Sequence, residues 1–175
     1  MNKYDVKDFL KDKLKGHSST LKETSYDTAN EQYLCNDTRT VDVYDFDSYV
    51  ESNFDKNKLP ASPDAVLLGN KVVYFIEFKN QLPENINNIN IKNKFEKGTE
   101  ILKHLLRDFS PRDVKYIFCV VHQAKISRYF NPEHIQSNVT KFGLEEKNSE
   151  LGGFYSRIIT ENINFYKLNF KKLEC

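Results

Sequence analysis

The sequence predicts an α/β fold, a central mixed sheet of about four strands flanked by helices. Three observations lead there. Lys71–Lys79 (KVVYFIEFK) and Val114–Val121 (VKYIFCVV) are rich in β-branched and aromatic residues and apolar on both faces, as in strands covered on both sides. Between them Ile91, Phe95, Gly98, Leu102, Leu105 and Phe109 recur at steps of three and four, which predicts an amphipathic helix over about 91–109. The chain has 175 residues with 13 Phe and 10 Tyr. At that size it buries about 70% of its unfolded surface and needs no disulfide or structural metal.

The elements follow in order. Val6, Phe9, Leu10 and Leu14 are spaced for a first helix over 3–15, stopped by Gly16. Asp27 or Thr28 is placed to cap a short helix running to Leu34. Val41 to Phe46 reads as a strand and 47–54 as a helical turn. Asp64–Leu68 is a short strand, Gly69-Asn70 the turn, and Lys71–Lys79 its hairpin partner. The Asn-rich stretch 82–93, opened by Pro83, reads as a loop. A dozen or more residues then separate Lys79 from Val114, which makes that connection a parallel crossover through the helix. Gly152-Gly153 marks a break, and Ile158–Phe170 suggests one or two late strands. The reading is one domain, with its core at about 20–122 and a C-terminal extension over about 123–175.

Charge and composition exclude several classes. Lys plus Arg is 26 and Asp plus Glu is 25, so no global basic field draws in nucleic acid, and binding must come from a local site. The longest apolar run, Tyr116–Val121, has six residues against the roughly 20 a membrane helix needs. The first twenty residues are too charged for a signal peptide, so the expected location is cytoplasmic, or delivery as an effector without such a signal. Cys35, Cys119 and Cys175 form no CxxC, and the four histidines no HxH or HExxH, which argues against a zinc site.

The informative residues are Asp64, Glu77 and Lys79. With Gly69-Asn70 as a two-residue turn, Asp64 lies opposite Phe75. Alternation then puts Asp64, Phe75, Glu77 and Lys79 on one face. Diagonal neighbours on a face lie roughly 7–8 Å apart, near enough for two carboxylates to grip one cation. Phe78 points the other way. Two carboxylates in a partly dry site repel unless a cation neutralises them, and oxygen ligands favour a hard ion such as Mg²⁺ or Mn²⁺. A lysine beside that ion can orient the attacking water or stabilise charge on a phosphate. The alternative is a structural ion-pair cluster at the end of a sheet.

Pro63-Asp64, twelve intervening residues and Glu77-Phe78-Lys79, on a hairpin followed by a helix and a buried strand, resemble the PD-(D/E)XK (restriction-endonuclease-like) nuclease superfamily over roughly residues 40–121. The resemblance implies an αβββαβ core and a Mg²⁺- or Mn²⁺-dependent nuclease hydrolysing phosphodiester bonds. It implies metal ligation by Asp64, Glu77 and the main-chain carbonyl of Phe78, with Lys79 assisting the nucleophilic water. A further acid on the first helix would be Glu31 or Glu23, with Glu31 preferred. A Gln after the lysine would be Gln81. Lys92, Lys94 and Lys97, near the start of helix 91–109, are candidates to touch phosphates. Lys125, Arg128 and Tyr129 are further candidates with less support. The expected partner is nucleic acid, DNA ahead of RNA, with a possible protein partner supplying targeting or inhibition. Two alternatives stay open: an RNase such as a tRNA-cleaving toxin domain, and a non-catalytic module binding nucleic acid or protein on a nuclease-like fold.

Overall fold

A computed structural model describes residues 5–110, 112–124 and 141–169. Lys125, Arg128 and Tyr129 lie outside them. Helix α1 is Val6–Lys13, with Asp5 accepting from the Lys7 and Asp8 amides at its start. Strand β1 (Ser18–Ser19) and helix α2 (Leu21–Thr24) follow. Strands β2 (Tyr26–Asp27) and β3 (Gln32–Tyr33) form a separate small hairpin. Next come β4 (Val43–Asp45), α3 (Phe46–Asn53), β5 (Ala65–Leu68), β6 (Val72–Lys79) and α4 (Asn88–Leu105). The chain ends with β7 (Lys115–His122), α5 (Leu144–Glu150), β8 (Arg157–Asn162) and α6 (Ile163–Asn169).

The sheet is mixed and six-stranded, in the order β1-β4-β5-β6-β7-β8, where the sequence suggested about four strands. The inner four, β4 to β7, are the ones the sequence indicated. β1 was missed because two residues carry no periodicity. β8 pairs parallel with β7 over Ile117–His122, so part of the C-terminal segment completes the sheet. The late segment gives a single strand. Asn162 then accepts from the amides of Asn164 and Phe165, which starts α6 where a second strand would have run. The helix foreseen before Leu34 is instead the β2–β3 hairpin. Asp27 folds its carboxylate onto the Ala29 and Asn30 amides, and that local bonding favours a turn.

Two cores sandwich the sheet. One face packs α1, α3, α4 and α5 through residues such as Phe9, Phe46, Phe95 and Leu144, over Val66, Phe75 and Phe118. The other packs Leu21 of α2 and Ile163 and Tyr166 of α6 over Leu67, Ile76, Phe78 and Cys119. Strand β6, central and flanked by antiparallel β5 and parallel β7, is apolar on both faces for this reason. Among the described residues no helix is long and apolar enough to cross a membrane.

Helix α4 starts earlier than the apolar stripe predicts. Asn87 caps it, accepting from the Ile89 and Asn90 amides at 2.9 and 3.2 Å, so part of the Asn-rich stretch is helical. The helix lies very close to the segment before β5. A β-carbon at Gly98 would fall 2.4 Å from Pro63 Cδ and 2.9 Å from Pro63 Cγ. Overpacking of that kind costs about 1–3 kcal/mol, against the roughly 1 kcal/mol by which alanine favours a helix. Gly98→Ala is therefore expected to lower unfolding free energy by about 1 kcal/mol in urea denaturation. An unchanged or raised midpoint would show that the contact with Pro63 is not tight.

Candidate functional site

The hairpin register brings the carboxylates together. Ala65 pairs with Ile76 and Leu68 with Val73, and the Gly69 amide donates to Val72 O at 2.8 Å. The two-residue turn is thus Asn70-Lys71, one residue later than the sequence suggested. That shift moves every partner by two, so parity survives and the register, continued one pair, sets Asp64 opposite Glu77. Both lie on the α4 side of the sheet with Val66 and Phe75, while Phe78 is buried on the other side.

Asp64 stands just before β5 and is tied to both neighbours. Its carbonyl accepts from the Phe46 amide at 3.0 Å, and its Oδ2 accepts from the Phe78 amide at 2.6 Å. Residues of a strand direct N–H and C=O toward the same neighbour, so the Phe78 carbonyl also faces the Asp64 side. Glu77 has no solvent exposure. Lys79 Nζ lies 2.7 Å from Glu77 Oε1, an ion pair whose geometry leaves Oε1 without a well-formed hydrogen bond. The contact with the largest consequence comes from α4. Lys94 Nζ donates to Asp64 Oδ1 at 2.9 Å and to Glu77 Oε2 at 3.0 Å.

The electrostatics follow from burial. Loss of hydration, reinforced by the Asp64 charge, pushes the Glu77 carboxyl up to about 7 against the pull of Lys94 and Lys79. Lys94 is half-buried, which alone would lower it, but Asp64, Glu77 and Asp47 together hold its proton more tightly than usual. Asp47, in the first turn of α3, is the third carboxylate in this field. Burial raises it to about 6; Lys94 opposes that rise and Asp64 adds to it. Its side chain accepts a short hydrogen bond from Ser62. Among the described residues no three His, Cys, Asp or Glu side chains form a group able to hold a metal ion. Asp64 and Glu77 remain a pair, with any further ligands left to main chain, water and substrate.

A cleft of about 390 Å³ opens beside the pair. Asp64, Phe78, Lys79 and Gln81 line it, with Asn87 and Asn90 of α4 and Tyr26 to Thr28 of the small hairpin. Gln81 is exposed at its edge, just past the end of β6. Glu31 is not among the lining residues. It is exposed at the hairpin turn with a left-handed backbone (φ 52°), and closure of β2 on β3 brings Asp27 to the cleft in its place. Lys92 leans toward Gly143, and Lys97 pairs with Glu100 at 3.0 Å. Of these three candidate lysines on α4, only Lys94 reaches the carboxylates. Its position one turn before Gly98 was the available signal, since residues four apart share a helix face and a glycine there lets that face approach. Asp47 was read only as the start of a helical turn. His122, opposite Lys79 on β7, is buried with its Nδ1 on Gln123 O at 2.8 Å. A second groove, bounded by Arg39–Asp42 and Leu67–Asn70, sits at the turn end of the β5–β6 hairpin, away from the carboxylates. No protein family, curated protein or solved structure matches the chain.

The field around Asp47 makes a pH-dependent prediction. Its folded pKa lies above the ordinary 3.8, so the folded state keeps a proton that the unfolded chain has released. The stability this confers is complete below about pH 3.8 and is lost as pH rises to about 6. In metal-free buffer, the unfolding free energy of the wild type relative to Asp47→Asn should fall by about 2 kcal/mol between pH 4 and 6.5 and stay level above. A difference that stays constant across that window would sink the assignment.

Proposed function

We propose that the protein is a metal-dependent nuclease hydrolysing phosphodiester bonds, with DNA as substrate, built on a PD-(D/E)XK type of core. One observation carries this reading: two carboxylates on one face of a buried hairpin converge on a single cation, beside a lysine, at the edge of a polar cleft. A structural ion-pair cluster has no need of such a cleft. It also has no need of a fully buried carboxylate with an oxygen lacking a good hydrogen bond.

The donor set suits Mg²⁺ or Mn²⁺, which takes one or two protein carboxylates and completes its shell with water and phosphate oxygens. Asp64 and Glu77 would hold the ion, with the Phe78 carbonyl as a main-chain ligand. Bound there, it supplies a water of lowered pKa and polarises the phosphoryl oxygen. The chain's own residues do the rest. The Phe78 amide fixes the Asp64 carboxylate through Oδ2. Lys79, held by Glu77, keeps a positive charge at the cleft, where it can orient the attacking water or meet charge developing on the phosphate. Gln81 stands at the same edge. With a net charge of +1, long-range attraction of a polyanion is weak, and a protein partner that delivers or restrains the activity fits that balance.

The test is a cleavage assay on supercoiled plasmid, single-stranded DNA and total tRNA in Mg²⁺, Mn²⁺ or EDTA. Metal-dependent cleavage is expected, and Asp64→Ala and Lys79→Ala should each reduce it at least about a hundredfold. Loss of tRNA with both DNAs intact would replace DNA by RNA as substrate. If all three substrates survive in both metals, the nuclease reading fails.

A further inference from the structure

The carboxylate pair already holds a cation of the chain's own. Lys94 Nζ lies 2.9 Å from Asp64 Oδ1 and 3.0 Å from Glu77 Oε2, with its side chain only 18% exposed. The approach of α4 to Pro63 at Gly98 sets the lysine, one turn earlier, directly over the pair. An ammonium bonded to both oxygens fills the space a divalent ion bridging them would take, so the two occupants exclude each other. Lys79 is different. It touches Glu77 Oε1 alone and leaves the inner oxygens clear.

We infer that Lys94 is an internal competitor for the metal: its ammonium closes the Asp64–Glu77 pair until a divalent cation displaces it. The apparent metal affinity of the site then reflects an exchange between two cations and not the carboxylates alone. This inference rests on the metal-dependent reading above. The lysine has somewhere to go: Asn90 and Asn87, one and two turns before it on the same helix face, line the cleft. A displaced ammonium therefore swings toward the polar opening. No other α4 lysine takes its place among the described contacts, since Lys97 is engaged by Glu100.

Calorimetric titration of Mn²⁺ into wild type, Lys94→Met and Asp64→Ala tests the exchange. Methionine keeps an unbranched chain one atom shorter and removes the charge. Removal of two charge-assisted contacts that metal must break should tighten Mn²⁺ binding at least about tenfold. Lys94→Met should also melt at lower temperature than wild type without metal, and gain more from its addition. A second measurement uses the wild type alone, should the variant not fold. Reductive methylation read by mass spectrometry should find Lys94 protected in EDTA and labelled severalfold faster in saturating Mn²⁺. Equal or weaker binding by Lys94→Met, where the wild type binds in an Asp64-dependent way, overturns the competitor role and leaves the metal site standing. Unchanged Lys94 labelling at saturation does the same. Absence of binding by both proteins removes the metal site and the inference together.

Discussion

The arrangement depends on a carboxylate with no exposure to water. Burying an ion costs several kcal/mol even after relaxation, and the cost is recovered only when partners of opposite charge satisfy it. Glu77 sits at 0% exposure in the central strand and finds two such partners, Lys79 from its own strand and Lys94 from α4. Replacement of ion clusters of this kind by apolar residues of equal volume is often neutral or stabilising. Stability alone therefore does not account for a charge near the end of a hydrophobic strand, and the chemistry proposed at the adjoining cleft would.

Much of the surrounding architecture can be traced from that constraint. To reach both Glu77 and Asp64, Lys94 must come from a helix lying close over the hairpin. Closeness requires a residue without a β-carbon where the helix crosses Pro63, and Gly98 is that residue. The helix must also begin early enough for Lys94 to lie inside it, which the Asn87 cap secures. Pro63 in turn precedes Asp64, so the contact that sets the helix height also anchors the carboxylate the helix must meet. The bond from the Asp64 carboxylate to the Phe78 amide closes the loop between the two strands.

How far the sequence reveals this depends on the range of each interaction. Same-face placement of Asp64 and Glu77 was legible because alternation depends on parity, and the turn fell one residue later without changing it. The central strands and α4 were legible because a strand buried on both faces and an amphipathic helix leave long patterns. Structure held by two residues or by one side chain was not. The β1 edge, the Tyr26–Tyr33 hairpin and the Asn162 cap that turns a strand into α6 each rest on one or a few hydrogen bonds. Lys94 was visible as a charge on a helix, but its partner was not, because a charge run reads as a solvated face unless the height of the helix is known. Glu31 failed to reach the cleft for a related reason: the hairpin closes on Asp27 and carries residue 31 to its exposed tip.

The charge balance of the site bears on how a nearly neutral chain could engage a polyanion. With both carboxylates ionised, Asp64 and Glu77 are matched by Lys79 and Lys94, Asp47 adds a third carboxylate to the field, and the polar cleft lining beyond them is amide and hydroxyl apart from Asp27. Such a surface offers a phosphate little attraction. The proposed exchange of one ammonium for a divalent ion would raise the charge of this set by one, and would free an ammonium beside the cleft. In that state the local field would favour a phosphodiester at the place where the proposed hydrolysis occurs. Attraction of this kind is short-ranged, since screening at physiological salt limits it to about 8 Å. On the proposed reading it would strengthen substrate binding in the metal-loaded protein and leave the metal-free protein a poor ligand for nucleic acid.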